Sequence, residues 1–231
     1  MNRQGEILCL WAGPISLIVL FVGWVFCAQW LPPLRPGLNA AQLTSGYATN
    51  VTGIRIGMLL LMYAGAPGIA FAALIMTNML RMKGPSPALA YTQLGAAVLS
   101  FVTFIIPAEV FAAATFRLDR APEITQFAND LGWLIFDQIN SPNIIQWLAL
   151  GFAVMWDRSE TPVFPSWFAF FNFWCALLLL PGSLIVFFKD GPFSWAGVFG
   201  FYLGLTTFTI WYIVTIVLMC KATRLQTQTT Q

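Results

Sequence analysis

The stretch WLIFDQINSPNIIQW, residues 133–147, sets an acid, several amides, a hydroxyl and a proline inside an otherwise apolar segment. The chain around it is 58% hydrophobic and only 9% charged, whereas a soluble domain carries about 25% charged residues. Lipid is therefore the expected surroundings of most of the chain. Residues 133–147 are then its least lipid-like membrane segment.

Apolar runs long enough to cross a membrane recur along the whole chain. A helical crossing needs roughly 20 apolar residues, so 231 residues leave room for about six crossings. We predict an all-α, polytopic integral membrane protein with one transmembrane domain. Its spans are expected at about 7–31, 54–80, 88–116, 130–156, 164–188 and 193–219.

The longest segment between spans separates the first span from the second. Asn39 can cap a short helix there, and Leu43 and Tyr47 would share one face of that helix at a spacing of i, i+4. We therefore predict an amphipathic helix that lies on the outer membrane surface.

Orientation is predicted from the basic residues on each side. A cytoplasmic N-terminus gives an inside set of Arg3, Arg81, Lys83, Arg158, Lys221 and Arg224, against an outside set of Arg35, Arg55, Arg117, Arg120 and Lys189. The basic turn after the second span and the basic tail favour this arrangement. We expect both termini in the cytoplasm and interpret the protein as one of a bacterial inner membrane.

Two Pro-Gly pairs suggest an internal repeat. Pro67-Gly68 lies inside the second predicted span and Pro181-Gly182 inside the fifth, as an inverted repeat of three spans plus three would require. The spacing to the next lysine differs, however, with Lys83 sixteen residues after its proline and Lys189 eight. Coincidence therefore stays an alternative to the repeat.

Several kinds of chemistry are excluded by residues that the sequence lacks or scatters. Histidine is absent, so ordinary haem ligation, His-rich metal sites and His-based triads are ruled out. The four cysteines show no metal-binding spacing and are interpreted as buried thiols. The net charge of +2 is too small for a nucleic-acid surface. We predict no metal, no cofactor and no nucleic-acid partner.

The polar residues of the opening stretch form the candidate site. Asp137, Asn140 and Ser141 would fall on one helical face at i, i+3 and i+4, and Pro142 would free a backbone carbonyl beside them. With Asn143 they would bind a solute. An acid inside the membrane costs on the order of 2–3 kcal/mol, so Asp137 should face the interior and have a partner.

Glu109, near the end of the third predicted span, is the second acid in the membrane. We expect it roughly 10 Å below the outer surface, at the depth of Asp137, where it would couple or gate the solute site. The structural alternative is an ion pair between Arg55 and Glu109 that holds helices together, with Asp137 hydrogen-bonded to amides.

A block of aromatic residues opens the fifth predicted span. Its candidate face consists of Trp167, Phe170, Phe171 and Trp174. Tryptophan near a membrane edge more often anchors the interface than binds a ligand. The sequence leaves open whether this face points inward or outward.

Three classes of function fit these patterns. The first is a protein that binds or transports a small organic or hydrophobic solute at the interrupted fourth helix. The second is a non-catalytic subunit or assembly factor of a larger membrane complex, whose partners are lipid, other subunits or a second copy of the chain. The third is a membrane enzyme that uses Glu109 and Asp137 as acid and base. The sequence favours the first and disfavours catalysis, because nothing places a nucleophile beside the two acids.

Overall fold

The computed structural model describes residues 3–229, and these residues form helices and connecting turns without a strand. Five helical segments are long and apolar enough to cross a membrane, namely Gln4–Cys27, Val51–Met79, Pro87–Phe116, Trp167–Phe187 and Val198–Thr223. Large apolar side chains are exposed on the outside of all five, among them Leu8, Tyr63, Leu99, Trp174 and Ile213. A water-soluble monomer rarely exposes so much apolar surface. The fold is that of a helical membrane protein.

Within the described residues there are eight α-helices: α1 Arg3–Phe21, α2 Ala40–Ala48, α3 Val51–Met79, α4 Pro87–Phe116, α5 Pro122–Trp133, α6 Ser141–Trp156, α7 Trp167–Leu179 and α8 Leu203–Thr229. Irregular helical turns extend four of them. They are π-helical at Val22–Cys27, Leu134–Gln138 and Val198–Tyr202, and 3-10 helical at Leu180–Phe187. Such turns shift the backbone hydrogen-bond pattern, and π-helical turns are frequent at functional sites.

Local sequence explains where several helices begin. The Asn39 side chain accepts a hydrogen bond from the backbone of Gln42, and the Gln42 side chain bonds back to Asn39, a reciprocal cap at the start of α2. Pro87, Pro122 and Pro142 occupy the first turns of α4, α5 and α6. A proline costs no hydrogen bond there, because the first N–H groups of a helix have no partner within the helix.

The helix α2 packs on the protein through the face that carries Leu43 and Tyr47, and both side chains are buried. The Tyr47 hydroxyl donates to Asn129 of α5 at 3.0 Å. Burial, and after it the nearby negative charge of Asp130, raises the pKa of Tyr47 well above its ordinary value. The hydroxyl therefore stays a hydrogen-bond donor. We call the end of the bundle that carries α2 the upper end.

The long helices pack side by side in a closed ring. α1 contacts α3, α3 contacts α4, α4 contacts α6, α6 contacts α7, α7 contacts α8, and α8 contacts α1 again. Between α1 and α3 the backbones come close at two glycines, since a Cβ built on Gly23 would lie 2.7 Å from the carbonyl oxygen of Gly57. The Ser16 hydroxyl donates to the carbonyl of Ala64 at 2.6 Å in the same contact. Small residues favour such close packing of membrane helices.

The core inside the ring has two halves that are rich in aromatic side chains. The upper cluster contains Trp24, Trp30, Phe111, Trp133, Phe136, Trp195 and Phe201, and the lower cluster contains Phe71, Trp147, Phe168, Trp211 and Tyr212. Phe104 and Phe208 pack against both halves, with ring centroids 5.6 Å apart. These two rings therefore mark the junction of the halves.

The fourth predicted span is divided in the structure. Its helix begins at Pro122 rather than near residue 130, ends with the π-helical turn at Gln138, and resumes at Ser141. Because the backbone is broken at Ile139 and Asn140, the expectation that Asp137 and Ser141 share one helical face is wrong. Asp137 lies in the π-helical turn before the break, and Ser141 lies at the start of α6 after it.

The two Pro-Gly pairs differ in local structure. Helix α3 continues through Pro67, whereas α7 tightens into the 3-10 turn at Leu180, directly before Pro181. The difference gives no support to the inverted repeat, which stays a prediction.

Candidate functional site

A cavity of about 70 Å³ lies at the junction of the two core halves, beside the break between α5 and α6. Its lining consists of Thr103, Phe104, Phe136, Asp137, Ile139, Asn140, Asn143, Leu179, Phe201, Gly204, Leu205 and Phe208. A site needs about 10–15 Å³ of such space to hold one water molecule. The cavity therefore has room for a few waters or for one small solute.

Asp137 is the charged residue of this lining. Its Oδ2 atom is buried and has no hydrogen-bond partner among the described residues. Burying an ionised carboxylate without a partner costs several kcal/mol. The group must therefore bear a proton or meet a donor or a cation in the cavity, and Oδ2 marks where a ligand would bind.

Asn140 joins the break of the fourth helix to α7. Its Nδ2 atom donates to the carbonyl of Leu179 at 2.7 Å, and its Oδ1 atom accepts from the Ser183 hydroxyl at 2.9 Å. Leu179 is the last residue before the 3-10 turn. We expected Asn140 to bind a solute, but its contacts make it a positioning residue that fixes the wall of the cavity.

Three irregular backbone segments meet beside Asp137, and Gly182 permits their approach. A Cβ built on Gly182 would lie 3.3 Å from Asn140 Nδ2 and 3.4 Å from the carbonyl oxygen of Gly200. The break after α5, the 3-10 turn after α7 and the π-helical turn before α8 thus come together here. Irregular backbone at membrane depth is tolerated only where protein covers it or where it lines a cavity.

Thr103 and Asn143 supply the other polar surface of the cavity. The Thr103 hydroxyl donates to the carbonyl of Ser100 at 2.7 Å, so its oxygen remains an acceptor. Asn143 is half-buried, and its side chain makes no hydrogen bond with the described part of the chain. The side-chain amide of Asn143, like the Oδ2 atom of Asp137, is therefore free to contact a solute.

Two residues predicted for the site lie outside the cavity. Ser141 is exposed in the first turn of α6, and Glu109 is exposed on α4. Glu109 follows the lining residue Phe104 by five residues, a separation of about 8 Å along the helix axis. The expected equal depth of Glu109 and Asp137 is wrong, because α5 begins at Pro122 and carries Asp137 farther from the upper end.

Arg55 and Glu109 form no ion pair within 4 Å in the described residues. Arg55 instead donates from Nη2 to the carbonyl of Thr115 at 2.6 Å and from Nε to the hydroxyl of the same residue at 3.3 Å. A carbonyl in the last turn of a helix needs such an outside donor. An ion pair at the lower end joins Arg81 to Glu6 at 2.7 Å.

The candidate aromatic face of α7 points outward. Trp167, Phe170 and Trp174 are 52%, 62% and 62% exposed. Phe171 is half-buried and stacks on the buried ring of Phe168, with centroids 6.0 Å apart. Three of the four residues thus face away from the cavity, where lipid would contact them.

Four phenyl rings of the cavity were not anticipated from the sequence. Phe104 meets Phe136 edge to face, with centroids 5.5 Å apart and planes at 82°. Phe201 and Phe208 line the wall contributed by α8 and the turn before it. The chain has 21 phenylalanines, and no spacing distinguishes these four, because the contacts between α4, α5 and α8 select them.

The site thus combines one carboxyl group, an amide, acceptor oxygens and phenyl rings around a small, partly open cavity. No known protein family, curated protein or solved structure matches this chain. Its chemistry is therefore read from the cavity alone. No second acidic or basic side chain lines the cavity among the described residues.

Proposed function

We propose that the chain crosses a bacterial inner membrane six times, with both termini in the cytoplasm and α2 at the outer surface. Helices α5 and α6 together supply the fourth crossing. The first of these contacts α2 at the upper end, and the backbone N–H of Arg158, just after α6, donates to the carbonyl of Lys83 at 2.8 Å.

The basic turn at Arg81 and Lys83 supports a cytoplasmic lower end. The N-terminal residue Glu6 lies there too, through its ion pair with Arg81. The side chains of Arg3 and Arg224, which the charge count also uses, lie outside the described residues.

On this topology the protein binds and transports a small solute through the central cavity. The observation that carries the proposal is the buried Oδ2 of Asp137, which lacks a partner among the described residues and adjoins the cavity. A purely structural buried acid is normally hydrogen-bonded. Thr103 of the lining lies near the middle of the 30-residue helix α4, and interrupted helices near the bilayer midplane are typical of transporter binding sites.

The other two classes of function have weaker support. The outward aromatic face of α7 would suit a partner subunit, but lipid covers such a face equally well. An enzyme that uses Glu109 with Asp137 loses its geometric basis, because Glu109 is exposed on α4 and does not line the cavity.

Water access to the cavity tests the proposal. A variant with Asn143→Cys is made in a chain whose native cysteines Cys9, Cys27, Cys175 and Cys220 are replaced by alanine or serine. A membrane-impermeant methanethiosulfonate is then added to right-side-out and to inside-out vesicles. Transport predicts modification of the new thiol from both sides, because an alternating-access carrier opens its site to each side in turn.

Two further variants keep the outcome decisive. Thr103→Cys repeats the measurement from the α4 wall, and Ile210→Cys, on the exposed side of α8, should stay unmodified in lipid. Absence of modification at both cavity positions from both sides would contradict the proposed function and favour a dry structural core.

A further inference from the structure

The geometry of the cavity points to a specific class of solute. We propose that it binds a small organic cation, an alkylammonium ion, between the Asp137 carboxylate and the phenyl rings. This inference rests on the proposed function only in requiring that a solute enters the cavity.

The charge of the lining favours a cationic ligand. Asp137 contributes a carboxyl group, and no Lys or Arg side chain lines the cavity among the described residues. Two basic side chains of α3 and the turn after it bond elsewhere, Arg81 to Glu6 at the lower end and Arg55 to Thr115 at the upper end. A cationic ligand would supply the partner that the buried oxygen lacks.

The hydrogen-bonding capacity of the lining is the second argument. Thr103 offers only its acceptor lone pairs, because its proton is bonded to the carbonyl of Ser100. Asn140 uses its Nδ2 on the carbonyl of Leu179. Asn143 offers an amide donor as well as an acceptor, but the oxygens of Asp137, Thr103 and Asn143 together give the lining more free acceptors than donors. An ammonium group, which has donors and no acceptor, complements such a lining.

The phenyl rings are the third argument. The faces of aromatic rings attract cations, and combinations of aromatic rings recognise alkylated ammonium groups. Phe104 and Phe136 stand at 82° to each other and so present differently oriented walls. Phe208 continues the wall beyond Phe104 at a centroid distance of 5.6 Å.

The size of the cavity and the composition of its lining favour a small organic cation over a bare metal ion. The volume of about 70 Å³ suits ions from methylammonium to tetramethylammonium, which have about two to five heavy atoms, given roughly 10–15 Å³ of such space for each water-sized group. Bare metal cations require oxygen ligands on several sides. Most of this lining is instead phenyl or aliphatic, including Ile139, Leu179 and Leu205.

Equilibrium binding of radiolabelled methylammonium to the purified full chain in lipid nanodiscs tests the inference. Trimethylammonium should compete, whereas tert-butanol, a neutral molecule of nearly the same size, should not. Asp137→Asn should weaken binding about ten- to hundredfold, as for a lost hydrogen bond to a charged group. Phe104→Leu should weaken it about two- to thirtyfold, as for a lost cation–π contact.

Matched controls separate local from general effects. Glu109→Gln removes the charge of a carboxyl group outside the cavity, and Phe170→Leu removes a phenyl ring from the outward face of α7. Both should leave methylammonium affinity unchanged. Gly204→Leu should abolish binding by filling the cavity, since a Cβ at Gly204 has no neighbour closer than 3.8 Å.

The outcomes distinguish the class of ligand from the existence of the site. If tert-butanol competes as well as trimethylammonium and Gly204→Leu abolishes both effects, the cationic class is overturned while the solute site stands. If Na⁺ or K⁺ displaces methylammonium at equal concentration, the ligand is an inorganic cation and the organic class is overturned. If no probe responds to Gly204→Leu and the Asn143→Cys thiol is inaccessible, the proposed function itself fails.

Discussion

At the residue scale, burial of Asp137 costs free energy because its Oδ2 atom has no hydrogen-bond partner among the described residues. For the same reason Oδ2 is free to bind a ligand. A buried group that serves function rather than stability can be replaced without loss of folding free energy. The Oδ2 atom of Asp157 also lacks a partner among the described residues. Asp157 differs through its Oδ1, which accepts hydrogen bonds from the Lys83 backbone at 3.2 Å and from the Ser159 hydroxyl at 2.6 Å.

We expect Asp137→Leu to leave the free energy of unfolding unchanged or to raise it, because the carboxyl group makes no bond that would be lost. Asp157→Leu should lower it by about 1–3 kcal/mol, since the donors of Lys83 and Ser159 lose their acceptor. Thermal unfolding in mild detergent measures both. A loss at Asp137→Leu as large as that at Asp157→Leu would show that Asp137 has a structural role.

At the scale of elements, the wall of the cavity depends on how one broken helix is attached to another. Asn140 supplies that attachment through Leu179 and Ser183. In a regular α-helix each carbonyl accepts from the backbone N–H four residues later, and where the helix is broken or tightened that bond is lost. A side-chain amide that donates to such a carbonyl therefore has a large effect on stability.

Asn140→Ala should lower the free energy of unfolding by about 1–3 kcal/mol, because the buried side chain is removed and the Leu179 carbonyl and the Ser183 hydroxyl lose their partner. Asn143→Ala is the matched control, since that amide makes no hydrogen bond with the described residues, and it should change stability little. Thermal unfolding of the two variants side by side measures the difference. Equal effects would contradict the positioning role of Asn140.

The membrane class and the general position of the polar break could be predicted from the sequence. Apolar runs dictate helices in lipid because each backbone group must be bonded internally, and Pro142 with its polar neighbours marked the interruption. The continuation of the helix from Pro122 into the fourth predicted span was missed, because the first turns of α5 are polar. That error placed Asp137 too near the membrane surface.

The composition of the candidate site was only partly predictable. Asp137 and Asn143 were identified because polar residues in an apolar segment are rare and costly. The rings of Phe104 and Phe208 come from helices far apart in sequence and are chosen by packing. The role of Gly182 was not predictable either, because it depends on three irregular segments that meet only in the folded protein.

At the scale of the whole molecule, aromatic side chains enclose the cavity from above and below. Phe136 lines the cavity and stacks on Trp24 with centroids 4.7 Å apart. Trp24 in turn contacts Trp30, which precedes α2 in the chain. Below the cavity, Phe208 contacts Tyr212, which contacts Phe71 at 5.4 Å. One aromatic cluster therefore packs above the cavity and the other below it.

Shrinking either cluster should open one route from water to Asp137 selectively. In the background with Asn143→Cys, Trp24→Leu should speed modification from the outer side and leave the rate from the cytoplasmic side unchanged. Phe71→Leu, which also replaces a fully buried ring, should do the reverse. Modification rates in vesicles of each orientation measure this. Equal acceleration from both sides by either variant would contradict the separation of the two routes.

The closed ring has a consequence for biogenesis. The main contacts between neighbouring long helices join segments that follow one another along the chain, except the contact between α1 and α8, and a small further contact joins α3 to α6. On the proposed topology of six crossings, the first five can therefore assemble in order of synthesis while a lateral opening persists between α1 and α7, and the arrival of α8 seals it. Until then the Asp137 carboxyl faces an open groove, where lipid headgroups, water or an insertion chaperone would solvate it.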